Sequence, residues 1–260
     1  MIRILQTGIW SAEQLSVRWT DNTRRIVEEV ESAIDNAWAT ALARPKVHLF
    51  DGPMCRLETW RATKDHLALT ISKSSYRIFV GTNMAHPEFA DLYGAQVMAN
   101  PVGVSPALLT SDGQLLLGRR SATVAYYPSR VHPFAGCMEP KDPDPFAAIL
   151  RELKEELSLE KEDLQEINCI GIAEDASLRQ PELIFSVRIA VTRARIEAQL
   201  DPVEHHSIWA IPAEQDRIAI ALKQDQQLTP VARAALLLWG RQTLGQEWYD
   251  QIIAWPTLGN

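Results

Sequence analysis

Asp144-Pro145-Phe146-Ala147-Ala148-Ile149-Leu150-Arg151-Glu152-Leu153-Lys154-Glu155-Glu156-Leu157 is the stretch on which the reading of this 260-residue chain turns. Asp before Pro is a helix start. The carboxylate accepts from an otherwise unpaired N–H, and Pro, with its fixed φ and no N–H of its own, suits the first helical position. The pattern predicts a helix from Pro145 to about Leu157. Phe146, Ile149, Leu150, Leu153 and Leu157 form one apolar stripe, while Glu152, Glu155 and Glu156, spaced i, i+3, i+4, project together from another side. Like charges at these spacings repel by roughly a few tenths of a kcal/mol per pair. A divalent cation removes that penalty. Mg²⁺ prefers oxygen ligands and takes its remaining positions from waters and phosphates, where it neutralises charge and activates water. A solvated helix face also carries glutamates, with Arg151 and Glu155 as an ordinary i, i+4 pair, so the flanking sequence has to decide.

On the N-terminal side, Val102 to Thr110 and Gln114 to Arg119 read as two strands joined by the hairpin turn Ser111-Asp112-Gly113. A loop containing Gly136 separates them from the acidic helix. On the C-terminal side, Leu183 to Val191 and Ser207 to Ile211 read as strands, and Thr229 caps a last long helix with Pro230 in its first turn. The first third reads as a smaller α+β unit. Asn22 caps a helix running to about Leu42, with Ile26, Val27, Val30, Ile34 and Trp38 at helical spacing. Val47 to Phe50, Cys55 to Ala62 and His66 to Ser72 read as strands, Tyr76 to Val80 as another short one, and Pro87 to Met98 as a short helix. The boundary falls near residue 98, giving units of 1–98 and 99–260.

Hydrophobic residues make up 46% and charged residues 23%, enough for a core without staples, and the net charge of −7 leaves no basic footprint for nucleic acid. An acidic protein that handles phosphates needs local help from a metal or a few arginines. Cys55, Cys137 and Cys169 are widely spaced and odd in number, which reads as reduced thiols in a cytoplasmic protein. No signal peptide is evident at Met1 to Trp10, and no apolar run approaches a membrane span. Nothing in the sequence addresses the state of association.

With these elements in place, the segment from His132-Pro133-Phe134-Ala135-Gly136 through Arg151-Glu152-Leu153-Lys154-Glu155-Glu156-Leu157-Ser158-Leu159 resembles the signature box of the Nudix hydrolases. That box is Gly, five residues, Glu, seven residues, then Arg-Glu-apolar-x-Glu-Glu-x-Gly-apolar. The resemblance implies an α/β/α sandwich with a mixed sheet, preceded here by the smaller α+β unit. It implies Glu152, Glu155 and Glu156 as ligands of Mg²⁺, with Mn²⁺ as the alternative, and Arg151 orienting them. Three departures stand out. The interval from Gly136 to Arg151 is one residue longer, and the final Gly is Ser158. The upstream Glu is also missing, its place falling on Asp142 or Pro143 according to the direction of counting, with Asp144 nearby. The order of elements from about 101 to 240 follows the family. Tyr76-Arg77-Ile78-Phe79-Val80-Gly81-Thr82-Asn83 and Asn100-Pro101-Val102-Gly103-Val104 are similar to the eukaryotic UDP-glucose and UDP-galactose hydrolases of that family. The implied substrate is a small nucleotide and the implied products are UMP and a sugar 1-phosphate. The alternatives are ADP-ribose, a dinucleotide or a nucleoside triphosphate as substrate, or a protein that binds a nucleotide sugar without cleaving it.

Glu204, in Asp201-Pro202-Val203-Glu204-His205-His206, is the candidate to complete the metal site or act as general base, with Glu174 as its rival. Arg119 and Arg120 end a strand, and by alternation one of them faces a phosphate while the other faces solvent. Tyr76 and Tyr126 are candidates for stacking on a base, and Asn83, in the Gly81-Thr82-Asn83 turn, for binding substrate. His205 and His206 are adjacent and have no further His or Cys spaced to help them, so they are not read as a zinc pair.

Overall fold

Strand alternation divides the core of this protein between two faces of one sheet. The computed structural model describes residues 2–44, 49–200 and 204–255. In chain order it contains β1 (Ile2–Trp10), β2 (Leu15–Trp19), α1 (Glu28–Leu42), β3 (Pro53–Ala62), β4 (Leu67–Ser75), α2 (Tyr76–Phe79), α3 (Phe89–Leu92), β5 (Gly103–Leu109) and β6 (Gln114–Arg120). The short strands β7 (Val131–His132) and β8 (Gly136–Cys137) precede α4 (Pro145–Leu157), β9 (Leu164–Asp175) and β10 (Gln180–Ile189). The chain continues with α5 (Arg193–Gln199), β11 (His205–Pro212), α6 (Gln215–Gln224), α7 (Pro230–Leu244) and α8 (Gln246–Ile253).

The main sheet runs β1-β9-β10-β5-β6-β11, with β10 and β5 parallel and the other neighbours antiparallel. Leu183, Phe185 and Val187 of β10 pack on one face with Phe146, Ile149, Leu153 and Leu157 of α4. The intervening Ile184 packs on the other face with Ile218 of α6, Leu236 and Trp239 of α7 and Trp248 of α8. The same alternation sends Leu116 to the first face and Leu115 and Leu117 to the second. The result is the expected α/β/α sandwich around a mixed sheet.

The first hundred residues pack against this sandwich. β1 is the edge strand of the main sheet, and the small sheet β2-β4-β3 contributes Leu15, Cys55, Leu57, Leu67, Leu69 and Ile71 to the same core cluster as α4. β1 and these side chains therefore pack with elements that follow residue 98.

Several expectations need correction. The first long helix starts at Glu28 rather than after Asn22, and Ile26 is exposed. The intervening segment is tied elsewhere: Arg25 N donates to Gln96 O at 2.9 Å, and buried Arg24 donates to Val97 O at 3.0 Å. Tyr76–Phe79 is a helix, not a strand, and it continues into a π-type turn over Val80–Met84. Short apolar runs fit either period. What decides here is Gly81, where a Cβ would stand 2.5 Å from Ile34 Cα, so the bare backbone lets this turn lie directly on α1. The helix expected over Pro87 to Met98 splits at Gly94, whose φ of 90° leaves the helical region, into α3 and a 3₁₀ turn at Ala95–Val97. Of the strand expected over Val47 to Phe50, Val47 and His48 lie outside the described residues, and Leu49 and Phe50 are not in a strand. β1, β2 and β9 were not anticipated. No helix among the described residues is long and apolar enough to cross a membrane.

Leu153 lies fully buried at the contact of α4 with the sheet. Replacing it with Ala is expected to lower stability by about 2–5 kcal/mol, measured as a reduced urea midpoint at unchanged slope.

Candidate active site

Helix α4 has the ends its sequence requires. The Asp144 carboxylate accepts from Ala147 N at 2.9 Å, with Pro145 following in the first turn. At the other end Ser158 adopts φ 54°, the left-handed conformation that glycine takes most easily. The end of the box therefore keeps its backbone shape although its glycine is absent.

Arg151 organises the acids around it. Its Nε and Nη2 donate to the two oxygens of buried Asp142 at 3.2 and 3.0 Å. Nη2 also donates to Cys137 O at 3.0 Å, and Nη1 donates to Glu152 at 2.7 Å and to Glu155 at 3.3 Å. Burial opposes its charge, but the hydrogen bond to Asp142 and the fields of Glu152 and Asp142 outweigh burial and raise its pKa. Of the two acids considered upstream, Asp142 reaches Arg151 while Asp144 caps the helix.

The three helix glutamates differ sharply in setting. Glu155 is exposed beside Arg151. Glu152 lies against Gly136, where a Cβ would stand 2.0 Å from its Oε1, and burial raises its acid to about 7, partly offset by Arg151. Glu156 is buried, and neither of its oxygens has a hydrogen-bond partner. Burial first, then Glu204 and Glu152, push its acid well above the ordinary value.

Strands β6 and β11 bring the remaining groups to this point. Arg120 is buried, its guanidinium lies 4.7 Å from the Tyr126 ring centroid, and its Nη2 is 3.5 Å from Glu204. Its Nε and Nη1 have no partner. Arg119 turns to the opposite side, toward Ser129 O and Gln227. A register shift between His205 and Ser207 forms a bulge at the start of β11. Beyond it His205 Nε2 stands 3.1 Å from Glu156 Oε2. The pair is close but not aligned for a hydrogen bond, since both atoms are without a partner. Burial, then Arg120 and His206, depress the His205 pKa to about 3. Ligand atoms of Glu156, Glu204 and His205 lie within 4.8 Å of one another. His206 turns away, its Nδ1 3.3 Å from Arg120 O.

Two cavities of about 710 and 320 Å³ meet at Leu49 and Tyr76. The smaller is lined by Met54, Cys137, Glu139 and Glu152. The larger is lined by Asn36, Thr40 and Arg44 of α1, His86 and Tyr126. Tyr76 therefore stands in the cleft. Asn83 does not line either cavity. It is fully buried, its amide donates to Leu178 O and Arg179 O at 2.9 and 3.2 Å, and its carbonyl accepts from Asn100 N. Glu174 pairs with Arg3 at 2.9 Å, away from the glutamate cluster. The wall supplied by α1 and the inward turn of His205 carried no local signal, since each depends on packing between distant segments.

A family model described as NUDIX domain matches residues 99–229. The uridine diphosphate glucose pyrophosphatase NUDT22 of Mus musculus is 27% identical over 278 aligned positions, covering 93% of this chain and 90% of that protein. The proteins of the same name from Homo sapiens and Bos taurus are 27% and 26% identical, each matched over 84% of this chain, and covered to 84% and 88% of their own lengths.

Gly136→Ala is expected to leave the melting temperature near that of the wild type, because the Glu152 carboxylate is the far end of a flexible side chain, but to displace it and abolish most turnover. Parallel melting curves and initial rates check both halves. Behind the cluster, buried Glu182 accepts from Ser105 and from Gln180, and burial raises its acid from 4.5 to about 8. The folded protein therefore keeps a proton that the unfolded chain has released, so this contribution to stability is full below about pH 4.5 and lost as pH rises toward 8. Glu182→Gln removes the titration. Its unfolding free energy relative to wild type is expected to increase from pH 5 to 8 and then level off, as urea titrations at several pH values would register.

Proposed function

Because the chain belongs to the NUDIX family and is a hydrolase of that kind, we propose that it cleaves the pyrophosphate of a nucleoside diphosphate sugar, UDP-glucose or UDP-galactose, to UMP and a sugar 1-phosphate. Mg²⁺ or Mn²⁺ is the required ion. The observation that carries this reading is a buried arginine with unpartnered donors, set beside Glu204 and against Tyr126 of the larger cavity, while Glu152 lines the smaller cavity. A pyrophosphate has charge for the arginine and two substituents for the two cavities. The relatives' names, over most of the chain's length, support the choice of nucleotide.

The side chains suit a divalent ion. Both Glu156 oxygens are buried without a donor, and Glu152 and Glu204 add further hard oxygen ligands. Glu155, exposed on the same helix, is available to complete the set. When bound, such an ion neutralises phosphate charge and acts as a Lewis acid. Arg120 donates its unpartnered Nε–H and Nη1–H to phosphate oxygens, with its guanidinium 4.7 Å from the Tyr126 ring centroid. Arg151, fixed by Asp142, holds Glu152 in position. Glu204, the half-exposed acid of the group, would hold the ion with one carboxylate oxygen and take the proton of the attacking water at the other. The new P–O bond forms as the bridging P–O bond breaks. Residues 99–260 act as the hydrolytic part, and the 1–98 part selects substrate through α1 and Tyr76. The free state of Cys55, Cys137 and Cys169 accords with a cytoplasmic location.

Incubation with UDP-glucose and Mg²⁺ is expected to release UMP and glucose 1-phosphate, in preference to products from ADP-ribose, dinucleotides or nucleoside triphosphates in the same panel. Arg120→Ala should cost about 10²–10³ in kcat, and Arg119→Ala should stay close to wild type. Equal losses in the two variants would remove Arg120 from the role given to it.

A further inference from the structure

We infer that His205 supplies a nitrogen ligand to the divalent ion, making with Glu156 and Glu204 a mixed nitrogen and oxygen site that binds Mn²⁺ or a later first-row ion more tightly than Mg²⁺. This rests on the divalent-ion reading above and adds to it a ligand that the signature box does not contain.

The observation is a set of buried polar atoms that satisfy nothing in the protein itself. His205 is 1% exposed and Glu156 is 7% exposed; His205 Nε2 and both Glu156 carboxylate oxygens are without hydrogen-bond partners, while Nδ1 faces the Gly118 backbone. Such groups are rare in folded proteins and call for an explanation. Nε2 and Oε2 approach to 3.1 Å without hydrogen-bond alignment, and a carboxylate oxygen of Glu204 lies within 4.8 Å of both residues' ligand atoms. A cation between them satisfies all three.

Charge favours the same occupant. Arg151 donates to Asp142 and Glu152, which leaves the Glu156 oxygens without a donor and Glu204 beside Arg120. A divalent cation is the occupant that meets those unpartnered oxygens.

The fold also places the imidazole for this task. The bulge at the start of β11 turns it inward. Gly118 leaves room for the ring, since a Cβ there would stand 2.1 Å from Nδ1, and Phe134 meets it edge-on with centroids 5.0 Å apart. Neighbouring His206 is directed to Arg120 O instead. Mg²⁺ is served by oxygen alone, whereas imidazole suits the transition ions. One nitrogen among the ligands therefore shifts the preference away from Mg²⁺.

The test uses the full-length protein loaded with one equivalent of Mn²⁺ and pulsed electron paramagnetic resonance. A coordinated ¹⁴N modulation is expected, replaced by the ¹⁵N pattern when the protein is made with ¹⁵N-histidine, a change that alters no side chain. His205→Gln should abolish the nitrogen signal and weaken Mn²⁺ binding by at least about tenfold, with a smaller effect on Mg²⁺ by calorimetry. His206→Gln should keep both signal and affinity. Mn²⁺ bound with no histidine nitrogen, or a signal that survives in His205→Gln, overturns the inference and leaves the divalent-ion site standing. No Mn²⁺ or Mg²⁺ binding at millimolar concentration overturns both.

Discussion

Crowding carboxylates into a partly dry cleft is unfavourable, and the guanidinium of Arg151 is the contact that makes it tolerable here. It engages Asp142 with two donors, and it also binds Glu152, Glu155 and the Cys137 carbonyl. These bonds tie the loop after β8 to the helix that carries the glutamates. The extra residue between Gly136 and Arg151 is accommodated because that loop closes on Arg151 through Asp142, and lengthening a surface connection by one residue costs little. Ser158 is absorbed similarly, at the cost of a left-handed conformation in one non-glycine residue. The altered box thus reaches a regular arrangement through side-chain contacts made elsewhere.

The cleft needs the whole chain. β6 and β11 deliver Arg120, Glu204 and His205, α4 delivers the glutamates, and α1 with Tyr76 closes the far side. That wall stays in place because Gly81 lets the turn after α2 lie on α1, while Asn83 binds the carbonyls of Leu178 and Arg179 ahead of β10. Asn83 therefore positions a wall of the cleft although it does not touch the space within it.

What was legible in the sequence was what local chemistry decides. The limits of α4 follow from Asp144-Pro145 and from the end of its apolar stripe, and the structure places them at Pro145 and Leu157. The hairpin follows from Ser111-Asp112-Gly113, and alternation separates Arg119 from Arg120. What was not legible depends on distant partners. Thr20 to Val27 is outside the helix, with Arg24 and Arg25 tied to the carbonyls of Val97 and Gln96. Tyr76 to Phe79 is helical although its aromatic and branched residues suit a strand equally well. β1 is apolar at Ile2, Ile4, Leu5, Ile9 and Trp10 without regular alternation, and pairing with β9, through register shifts, makes it a strand.

His205 marks that limit most clearly. Two adjacent histidines gave no reason to separate them, and strand alternation alone sends neighbours to opposite sides without saying which side meets the glutamates. The bulge settles the direction, Gly118 leaves the space, and Glu156 waits at the other end. None of these three lies next to the others in sequence. A site built on such a bulge can acquire a ligand without any change in the helix that carries the signature. The acidic helix therefore carries the family signature, while the nitrogen ligand proposed for the ion comes from the start of β11.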